Sequence, residues 1–424
     1  SNPEMQKRVY NAIRAVSEAE ENPIISIHDH GAGGHLNCLS ELVEATGGTI
    51  EMDKLPIGDK TLSAREIIGN ESQERMGLVV KEKYVDYIRR IAERERAPMY
   101  VVGETTGDMQ FTFKQADGQK PIDLQLEDMF GKTPQTIIED KTVETSYADV
   151  EYNKGQVVEY VNGIMRMESV ACKDWLTNKV DRSVTGKIAI QQTAGEIQVP
   201  INDYAAVALD YQGEKGIATS IGHAPVSAMI SPDQGSVLSI AESLTNIVLA
   251  PMEHGLKGVS LSANWMWPCK NEGEDARLYK AVAGAEKFAL ELGINIPTGK
   301  DSLSMTQKYK NGESVIAPGS VIITAAGEVS DIKKCVKAAL KQQASDIVYV
   351  DMSRSAFSLG GSSFAQMTGA VGADTPTIDD AKYFATAFEA VQKLVAEGKV
   401  MAGHDISAGG LVTALLEMCY TNNK

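Results

Sequence analysis

Hydrophobic positions along this chain follow two spacings, and each spacing predicts one type of element. Short apolar runs rich in β-branched residues predict strands at Ile24–Ile27, Met76–Val80, Met99–Gly103, Gly186–Gln191, Ala205–Leu209, Gly258–Ser262, Ser320–Ala325 and Ile347–Asp351. Apolar residues that recur at intervals of three and four predict amphipathic helices at Glu4–Ala19, Glu82–Arg96, Gly235–Ala250, Glu274–Leu292, Asp331–Lys341 and Asp379–Glu397. Because the two types alternate throughout, the predicted fold class is α/β or α+β.

Length and charge narrow the possible functions. The 424 residues are enough for two or three domains of roughly 150 residues each. Lys and Arg number 41 and Asp and Glu number 57, so the net charge is −16. We do not expect such an acidic chain, which has no basic stripe, to bind nucleic acid or an anionic membrane. It has no apolar run of the ~18 residues that span a bilayer, and Ser1–Glu4 lacks signal-peptide features, so we expect a cytosolic protein.

An internal repeat is the most informative feature of the sequence. The segment HDHGAGG, which begins at His28, returns as HDISAGG at His404, an offset of 376 residues. Seven of the sixteen positions from 28 to 43 are identical to positions 404 to 419, including Glu41 and Glu417. About one identity would be expected by chance. The repeat predicts two duplicated domains related by pseudosymmetry.

The two copies are incomplete in opposite ways. The first copy begins about one helix before its motif, and the second ends fourteen residues after its motif. This pattern predicts that the chain is an internal piece of a longer protein. Composition places the domain boundaries in the polar segment 112–179 and near Ser330.

The repeated motif has chemistry that suits a polyphosphate. An apolar run ends in His-Asp and enters a Gly-Gly turn that opens a helix. Asp29 and Asp405 therefore place a carboxylate at the end of a strand, beside the free N–H groups of a helix N-terminus. That combination suits a metal-bound polyphosphate. The alternative is that each aspartate only caps a turn.

Two further groups of oxygen atoms could bind a hard cation. Glu242 and Asn246 lie four residues apart in a predicted helix and share one face. Asp203 opens a predicted strand and could add a third oxygen. The alternatives are a solvated helix face and a turn residue at the start of a strand.

Two other segments carry candidate chemistry, and a third is apolar. The segment PTGKDS places Lys300 and Asp301 in a predicted turn, although it lacks the glycine and hydroxyl positions of a Walker A loop. The segment ESQER, which contains Glu71, Ser72 and Gln73, offers donors and acceptors for a sugar or an amide. A polar turn explains either segment equally well. The third segment, LSANWMW, is expected to pack in the core.

The combination of HDHGAGG, ESQERM, AESLTN, LSANWMW, PTGKDSLSM and HDISAGG resembles the synthetase region of the phosphoribosylformylglycinamidine synthase family in its large single-chain form. The resemblance extends over essentially the whole chain. It implies tandem subdomains of the aminoimidazole ribonucleotide synthetase type. Residues 1–145 would form a first C-terminal-type subdomain, residues 146–335 a second N-terminal-type subdomain, and residues 336–424 the start of a second C-terminal-type subdomain.

The resemblance also implies a reaction. ATP, formylglycinamide ribonucleotide and ammonia derived from glutamine would give formylglycinamidine ribonucleotide, ADP and phosphate, in purine biosynthesis. None of the five cysteines lies in the glycine-flanked elbow of a glutaminase nucleophile. The ammonia would therefore come from a glutaminase domain elsewhere in the same polypeptide, and we expect this chain alone to be inactive as a synthetase.

Site residues follow from the resemblance position by position. It implies Mg²⁺ ligands at Asp29, Asp203, Glu242, Asn246 and Asp405; nucleotide contacts at Asn202 and Ser407; substrate contacts at Glu71, Ser72 and Gln73; and phosphate handling by Lys300 and Asp301. One departure is Ala408, which stands where many relatives have Asp and removes one carboxylate from the motif. The alternative functions are a scaffold that holds a nucleotide without catalysis, and a related ATP-using enzyme of the selenophosphate synthetase or thiamine-phosphate kinase type.

Overall fold

The structure of this protein is a computed structural model that describes residues 2–132, 134–135, 137–177, 179–180, 182–183 and 186–422. It divides into two compact units, Ser1–Thr136 and Ile137–Lys424. None of the helices in the described ranges is long and apolar enough to cross a membrane.

Unit 1 combines a two-stranded and a four-stranded sheet with short helices. Its helices are α1 (Pro3–Ser17), α2 (Gly34–Leu42), α3 (Ala64–Ile68), α4 (Val85–Arg94) and α5 (Leu126–Phe130). Its strands are β1 (Ile24–Asp29), β2 (Gly48–Glu51), β3 (Met76–Val80), β4 (Gly103–Thr105), β5 (Gln110–Lys114) and β6 (Ile122–Gln125). Strands β1 and β3 pair antiparallel, and the other sheet has the order β4-β2-β5-β6. The fully buried Phe111 and Phe113 lie at its core.

Unit 2 is built on a six-stranded sheet in the order β11-β10-β14-β9-β8-β7. Its strands are β7 (Ile188–Ile190), β8 (Tyr204–Ala208), β9 (Gly216–His223), β10 (Ser260–Met266), β11 (Asn295–Ser302), β12 (Thr306–Lys308), β13 (Ser314–Ile316) and β14 (Ser320–Val329). Its helices are α6 (Val157–Ile164), α7 (Asp174–Thr177), α8 (Pro225–Ile230), α9 (Pro232–Ile247), α10 (Glu274–Leu292), α11 (Ser363–Met367), α12 (Ala381–Ala396) and α13 (Gly410–Tyr420).

Helix α9 covers one face of this sheet. Buried and exposed residues alternate strictly along β9, so every second side chain of that strand faces the core. Ile240, Leu244 and Ile247 project from α9 into the core and are fully buried. Trp267 is also buried, which confirms the core packing predicted for LSANWMW. The mixed sheet with its covering helices confirms the predicted α/β fold class.

The structure confirms several predicted elements and contradicts others. Strand β3 and helix α10 have the predicted bounds. Met99–Val102 is not a strand, because pairing begins only at Gly103. Residues 347–351 form no strand, and no described strand pairs with them. The segment PTGKDS is not a turn but part of β11, where parallel pairing with β10 keeps it extended.

The predicted helix at 331–341 is also wrong, apart from a short 3-10 turn at Ile332–Lys334. The backbone of this segment bonds to distant elements instead of to its own fourth neighbour. The amide of Val336 donates to the carbonyl of Leu249 at 3.1 Å, and the amide of Leu340 donates to Met418 at 3.1 Å. Tertiary hydrogen bonds therefore override the helical pattern of the sequence.

Candidate functional site

A cluster of buried charges forms where β8 begins. Asp203 directly precedes β8, and His404 and Asp405 directly precede the turn that leads into α13. Nδ1 of His404 lies 2.6 Å from Oδ1 of Asp203 and 3.3 Å from Oδ1 of Asp405. The amide of Asp405 donates to Oδ2 of Asp203 at 3.2 Å. The two aspartates that the sequence analysis named as metal ligands are thus brought together across 202 residues of chain.

Burial makes this cluster electrostatically costly. The side chains of Asp203, Asp405 and His404 are only 2%, 6% and 9% exposed. Burial raises the pKa of Asp203, and the contact with His404 opposes that rise. Burial lowers the pKa of His404, but its contacts with Asp203, Asp405 and Glu417 outweigh the burial, so that its pKa is raised. His404 is therefore held as the imidazolium.

The cluster fits a divalent cation in charge and in donor type. Three carboxylates around one imidazolium leave two negative charges in excess when all are ionised. Nδ1 of His404 is buried and makes no hydrogen bond of acceptable geometry in spite of its close contacts. The ligand atoms of Asp203, His404 and Asp405 lie within 4.8 Å of one another. A hard cation prefers carboxylate oxygens, so Asp203 and Asp405 are the residues that would hold it.

The duplication inferred from the sequence is visible in matching contacts. Nε2 of His404 lies 2.9 Å from Oε2 of Glu417, and Nδ1 of His28 lies 3.0 Å from Oε2 of Glu41. The 376-residue offset relates these two pairs, and the identity of Glu41 and Glu417 in the repeat was a signal for them. Sequence reasoning assigned the two glutamates no role. Each orients the histidine that precedes the motif aspartate.

Glycines shape the turn in both copies. Gly33 and Gly409 have φ of 83° and 89°, and the glycine that follows each also has positive φ. A Cβ on Gly409 would lie 2.2 Å from Oγ1 of Thr413, so a side chain there would be both strained and blocked. The turn between Asp405 and α13 therefore requires glycine at this position.

Glu242 and Asn246 lie at the same end of the sheet but outside this cluster. Strands β8 and β9 are antiparallel, and Tyr204 of β8 pairs with Ser220 of β9. Asp203, which precedes Tyr204, is therefore level with Ile221, which follows Ser220. Nδ2 of Asn246 donates to the carbonyl of Ile221 at 2.8 Å. The carboxylate of Glu242 accepts from the amide of His223 at 2.5 Å. Helix α9 is thus fastened to the end of β9 that neighbours Asp203.

A cavity of about 890 Å³ opens beside Asn202, the residue before Asp203. Its polar lining includes Lys337 and Lys341, and its apolar lining includes Val336 and Val400. Neither lysine has a carboxylate within salt-bridge distance among the described residues. In a chain with a net charge of −16, this lining is suited to an anionic ligand with an apolar part. Sequence reasoning missed both lysines, because it placed them in a helix.

The two predicted nucleotide contacts differ in what their side chains do. Nδ2 of Asn202 donates to the carbonyls of Gln191 and Thr193 at 2.8 and 3.1 Å, and its Oδ1 accepts from the amide of Ala338 at 3.3 Å. The side chain of Asn202 thus shapes the cavity wall. Ser407 is exposed in the turn, and its carbonyl accepts from Gly410 at 3.0 Å. Ala408 follows three residues after Asp405, at the position where many relatives have Asp. The cluster of Asp203, His404 and Asp405 forms without that carboxylate.

Unit 1 contains the motif loop of the first copy. Asp29 ends β1, is exposed and pairs with Met76 at the start of β3. Oε1 of Glu71 accepts from the amide of Gly33 at 3.2 Å, and the amide of Ser72 donates to the carbonyl of His30 at 3.0 Å. The turn at 70–75, which also carries the exposed Gln73, is therefore bound to the motif loop. The structure brings the predicted metal ligand and the predicted substrate contacts of this copy together.

Lys300 and Asp301 lie apart from the charge cluster of unit 2. Both are exposed on β11, which is one edge of the six-stranded sheet, whereas β8 lies next to the opposite edge. Four strand spacings of about 4.8 Å separate β11 from β8, which is about 19 Å. The two residues therefore do not share the site of Asp203 and Asp405.

The sequence of this chain is similar to those of known proteins. Residues 172–328 match the FGAR-AT PurM_N-like domain, and residues 1–114 with 346–424 match the C-terminal domain of AIR synthase related proteins. A probable phosphoribosylformylglycinamidine synthase, chloroplastic/mitochondrial, of Arabidopsis thaliana is 38% identical over 437 residues. The alignment covers 99% of this chain and 31% of the relative. The chain is homologous to the phosphoribosylformylglycinamidine synthases.

Two further relatives agree. The phosphoribosylformylglycinamidine synthases of Dictyostelium discoideum and Homo sapiens are each 37% identical over 99% of this chain, which covers 32% and 33% of their lengths. The chain thus spans about a third of the curated relatives it matches. The Arabidopsis relative is named as an organellar protein, and the cytosolic location expected above stays a prediction.

Solved structures confirm the fold. The structure of Thermotoga maritima PurL complexed with ADP has a TM-score of 0.60 at 19% identity, covering 80% of this chain and 52% of that one. The structure of phosphoribosylformylglycinamidine synthase II from the same organism has a TM-score of 0.58 at 18% identity, covering 80% and 51%. Together with the matched domains, this likeness confirms the predicted tandem architecture of AIR synthase type.

Proposed function

We propose that this chain is part of an enzyme that converts formylglycinamide ribonucleotide to formylglycinamidine ribonucleotide. Homology over 99% of the chain to enzymes named for that product supports the proposal. The observation that carries it is the buried cluster of Asp203, His404 and Asp405, which lies next to a cavity whose lining includes Asn202, Lys337 and Lys341. Thermotoga maritima PurL, which is similar in fold, has been solved in complex with ATP and in complex with FGAR.

The proposed reaction has two steps. The amide oxygen of the substrate takes the γ-phosphoryl group of ATP and releases ADP. Ammonia then adds at the amide carbon and displaces phosphate, so a C–N bond forms as the C–O bond breaks. Positioning and neutralisation of phosphate charge dominate such phosphoryl transfers. In an acidic chain, that charge must be met by a bound cation, placed lysines and helix N-termini.

Within this function, we assign the site of unit 2 to a nucleotide and Mg²⁺. Asp203 and Asp405 would hold the cation, with Glu242 and Asn246 contributing from α9, and a bound Mg²⁺ would neutralise the phosphates. Asn202 and Ser407 border the nucleotide, and Lys337 and Lys341 face its anionic part. We interpret this as the auxiliary nucleotide site of a pseudosymmetric pair.

Unit 1 takes the other role in this proposal. Asp29 would ligate a cation of the second site of the pair, and the turn with Glu71, Ser72 and Gln73 would bind the ribonucleotide. Lys300 and Asp301, at the far edge of the sheet of unit 2, would handle phosphate. We propose the domain division 1–145, 146–335 and 336–424, and a glutaminase domain of the same polypeptide as the source of ammonia.

Isothermal titration of the chain with ADP in the presence and absence of Mg²⁺ tests this assignment. We expect binding that requires Mg²⁺ and that Asp405→Asn weakens by at least about tenfold, since a charged ligand is lost. Asp346→Asn is the matched control, because Asp346 is an exposed carboxylate in the same unit. Equal effects of the two variants would contradict the assignment.

A second titration separates the synthetase from a scaffold. A synthetase piece binds formylglycinamide ribonucleotide in addition to ADP, whereas a scaffold binds ADP alone. A third experiment is a steady-state assay with ATP, ammonium and the ribonucleotide. We expect no turnover from this chain by itself, and turnover would overturn that expectation.

A further inference from the structure

Two buried histidines and an arginine form a connected group in unit 1, which we call the imidazole relay: His30, His35 and Arg75. The histidines are 5% and 4% exposed. Nε2 of His30 lies 3.0 Å from Nδ1 of His35, and the rings meet edge to face with centroids 4.8 Å apart. Nε2 of His35 lies 3.1 Å from Nη1 of Arg75.

The chemistry of the three groups determines where each proton lies. A guanidinium group only donates, so Nε2 of His35 must accept from Arg75. The proton of His35 is then on Nδ1 and is donated to Nε2 of His30. The proton of His30 is therefore also on Nδ1. Arg75 thus sets both tautomers, and both imidazoles are neutral.

The relay joins the motif loop to the turn proposed to bind substrate. The amide of His30 donates to the carbonyl of Arg75 at 3.3 Å. Nη1 of Arg75 also donates to Oδ1 of Asn70 at 2.9 Å. These bonds add to those of Glu71 with Gly33 and of Ser72 with His30. The turn at 70–75 is thereby fastened at both of its ends.

The fold of the motif does not itself require the relay. The 376-residue offset places Ile406 and Leu411 at the positions of His30 and His35 in the second copy. Both are apolar and about half exposed, at 44% and 47%. The second copy therefore forms its glycine turn without histidines at these positions. The relay is therefore a property of the copy that carries the ESQER turn.

Stability alone does not account for the relay either. The tautomer set by Arg75 leaves Nδ1–H of His30 buried, and it has no hydrogen-bond partner among the described residues. A buried donor without an acceptor destabilises a fold. The arrangement thus keeps an unfavourable group beside Asp29 and the substrate turn, as is common where geometry serves binding.

We propose that His35 and Arg75 are positioning residues for the ribonucleotide. They do not contact it; they hold Glu71, Ser72 and Gln73 in the orientation that binds it. This inference rests on the proposed function, because it takes the turn at 70–75 as the site for a phosphorylated sugar amide. The relay sets the affinity for that ligand and leaves the affinity of unit 2 for Mg²⁺ and ADP unchanged.

Nuclear magnetic resonance of the full chain labelled with ¹⁵N-histidine tests the relay directly. The chain has six histidines, so their imidazole signals can be resolved and assigned by single substitutions. We expect His30 and His35 to be neutral at pH 7, each with its proton on Nδ1. Arg75→Met should release both from that tautomer. A proton on Nε2 of either ring in the unsubstituted chain would overturn the inference.

Titration calorimetry with formylglycinamide ribonucleotide tests the consequence for binding. We expect Arg75→Met to weaken this binding by about tenfold or more, Arg75→Lys to restore part of the loss, and ADP binding with Mg²⁺ to be unchanged in both. Arg65→Met on the exposed face of α3 is the matched control. Equal ribonucleotide affinity of Arg75→Met and the unsubstituted chain would overturn the inference alone. An unsubstituted chain that does not bind the ribonucleotide would overturn the proposed function as well.

Discussion

Several ionisable side chains of unit 2 are buried away from solvent, where a charge is unfavourable unless another charged group lies close by. Asp203, Asp405 and His404 are almost fully buried, and each is within contact distance of another. Lys337 and Lys341 line the adjacent cavity without a carboxylate partner in the described part of the chain. Asn202, which lines the cavity, connects it to the cluster, because Asn202 directly precedes Asp203 in the chain.

The lysines give a prediction about affinity. We expect Lys337→Gln together with Lys341→Gln to weaken ADP binding by about tenfold, because two cations facing the phosphates are removed. The salt dependence of the remaining binding should also be smaller. Calorimetry at low and high ionic strength measures both effects. Lys310→Gln, in the exposed turn between β12 and β13, is the control, and a loss of similar size there would contradict the prediction.

His35 gives a prediction about pH. Burial, followed by the repulsion that a second proton on His30 and the charge of Arg75 would exert, lowers the pKa of His35 to about 4 in the folded chain, compared with 6.5 for the free side chain. Between pH 4 and pH 6.5, His35 is therefore protonated in the unfolded chain and neutral in the folded chain. The stabilisation is present above pH 6.5 and is lost as the pH falls towards 4, by about 3 kcal/mol in all.

Hydrogen exchange of amides in β5 reports the stability of unit 1 and measures this loss. His35→Asn cannot titrate in this range, so its stability should fall less between pH 7 and pH 4.5. Parallel pH profiles of the variant and the unsubstituted chain would show that His35 does not carry the effect.

Some elements of unit 2 are held together by side chains that form hydrogen bonds with backbone groups far away in the sequence. Helix α10 begins after Gly273, which has no side chain with which to cap it. Asp140 supplies the cap from 133 residues away, accepting from the amides of Gly273, Asp275 and Ala276 at 3.2, 3.0 and 3.2 Å. Similarly, the hydroxyl of Tyr204 donates to the carbonyl of Val336 at 2.9 Å and ties the non-helical segment to the sheet.

The distant cap can be tested by unfolding. We expect Asp140→Ala to lower the free energy of unfolding of unit 2 measurably, because three amides at the start of α10 lose their acceptor. All three tryptophans of the chain lie in this unit, at 175, 265 and 267, so urea titration followed by tryptophan fluorescence measures it. Asp149→Ala removes an exposed aspartate of the same segment and should change little. Equal losses would contradict a capping role.

At the scale of the whole molecule, the two copies of the motif lie in different units and have different surroundings. The His404–Glu417 pair is 9% and 19% exposed, whereas the His28–Glu41 pair is 41% and 33% exposed. The second copy carries the buried cluster and the cavity, and the first carries the imidazole relay and the ESQER turn. The two copies of one turn thus have different chemical surroundings.

Ligand-linked stability should separate these two units. A ligand at one hundred times its dissociation constant stabilises the state that binds it by about 2.7 kcal/mol. We expect Mg²⁺ with ADP at that level to raise the unfolding free energy of unit 2 by this amount, as followed by tryptophan fluorescence. Hydrogen exchange of β5 in unit 1 should not change. Equal protection of both units, or the same protection in Asp405→Asn, would contradict the proposed location.

The sequence by itself determined features that arise from short stretches of chain. Elements with strong periodicity, such as α10 and β3, form at their predicted positions because local pattern and tertiary packing agree there. The glycine turn of the repeat is also a local feature, since its positive φ angles require glycine in both copies. Residue identities at a constant offset sufficed to reveal the duplication and the motif aspartates.

Only the tertiary structure decided which of these residues meet. Asp203 and Asp405 come together because β8 and the turn before α13 share one end of the sheet, a juxtaposition that no local spacing encodes. The same long-range pairing turned PTGKDS into a strand and kept 331–341 from forming a helix, since backbone groups bond to whichever partner the assembled fold presents. The lysine-lined cavity and the imidazole relay depend on those contacts for the same reason.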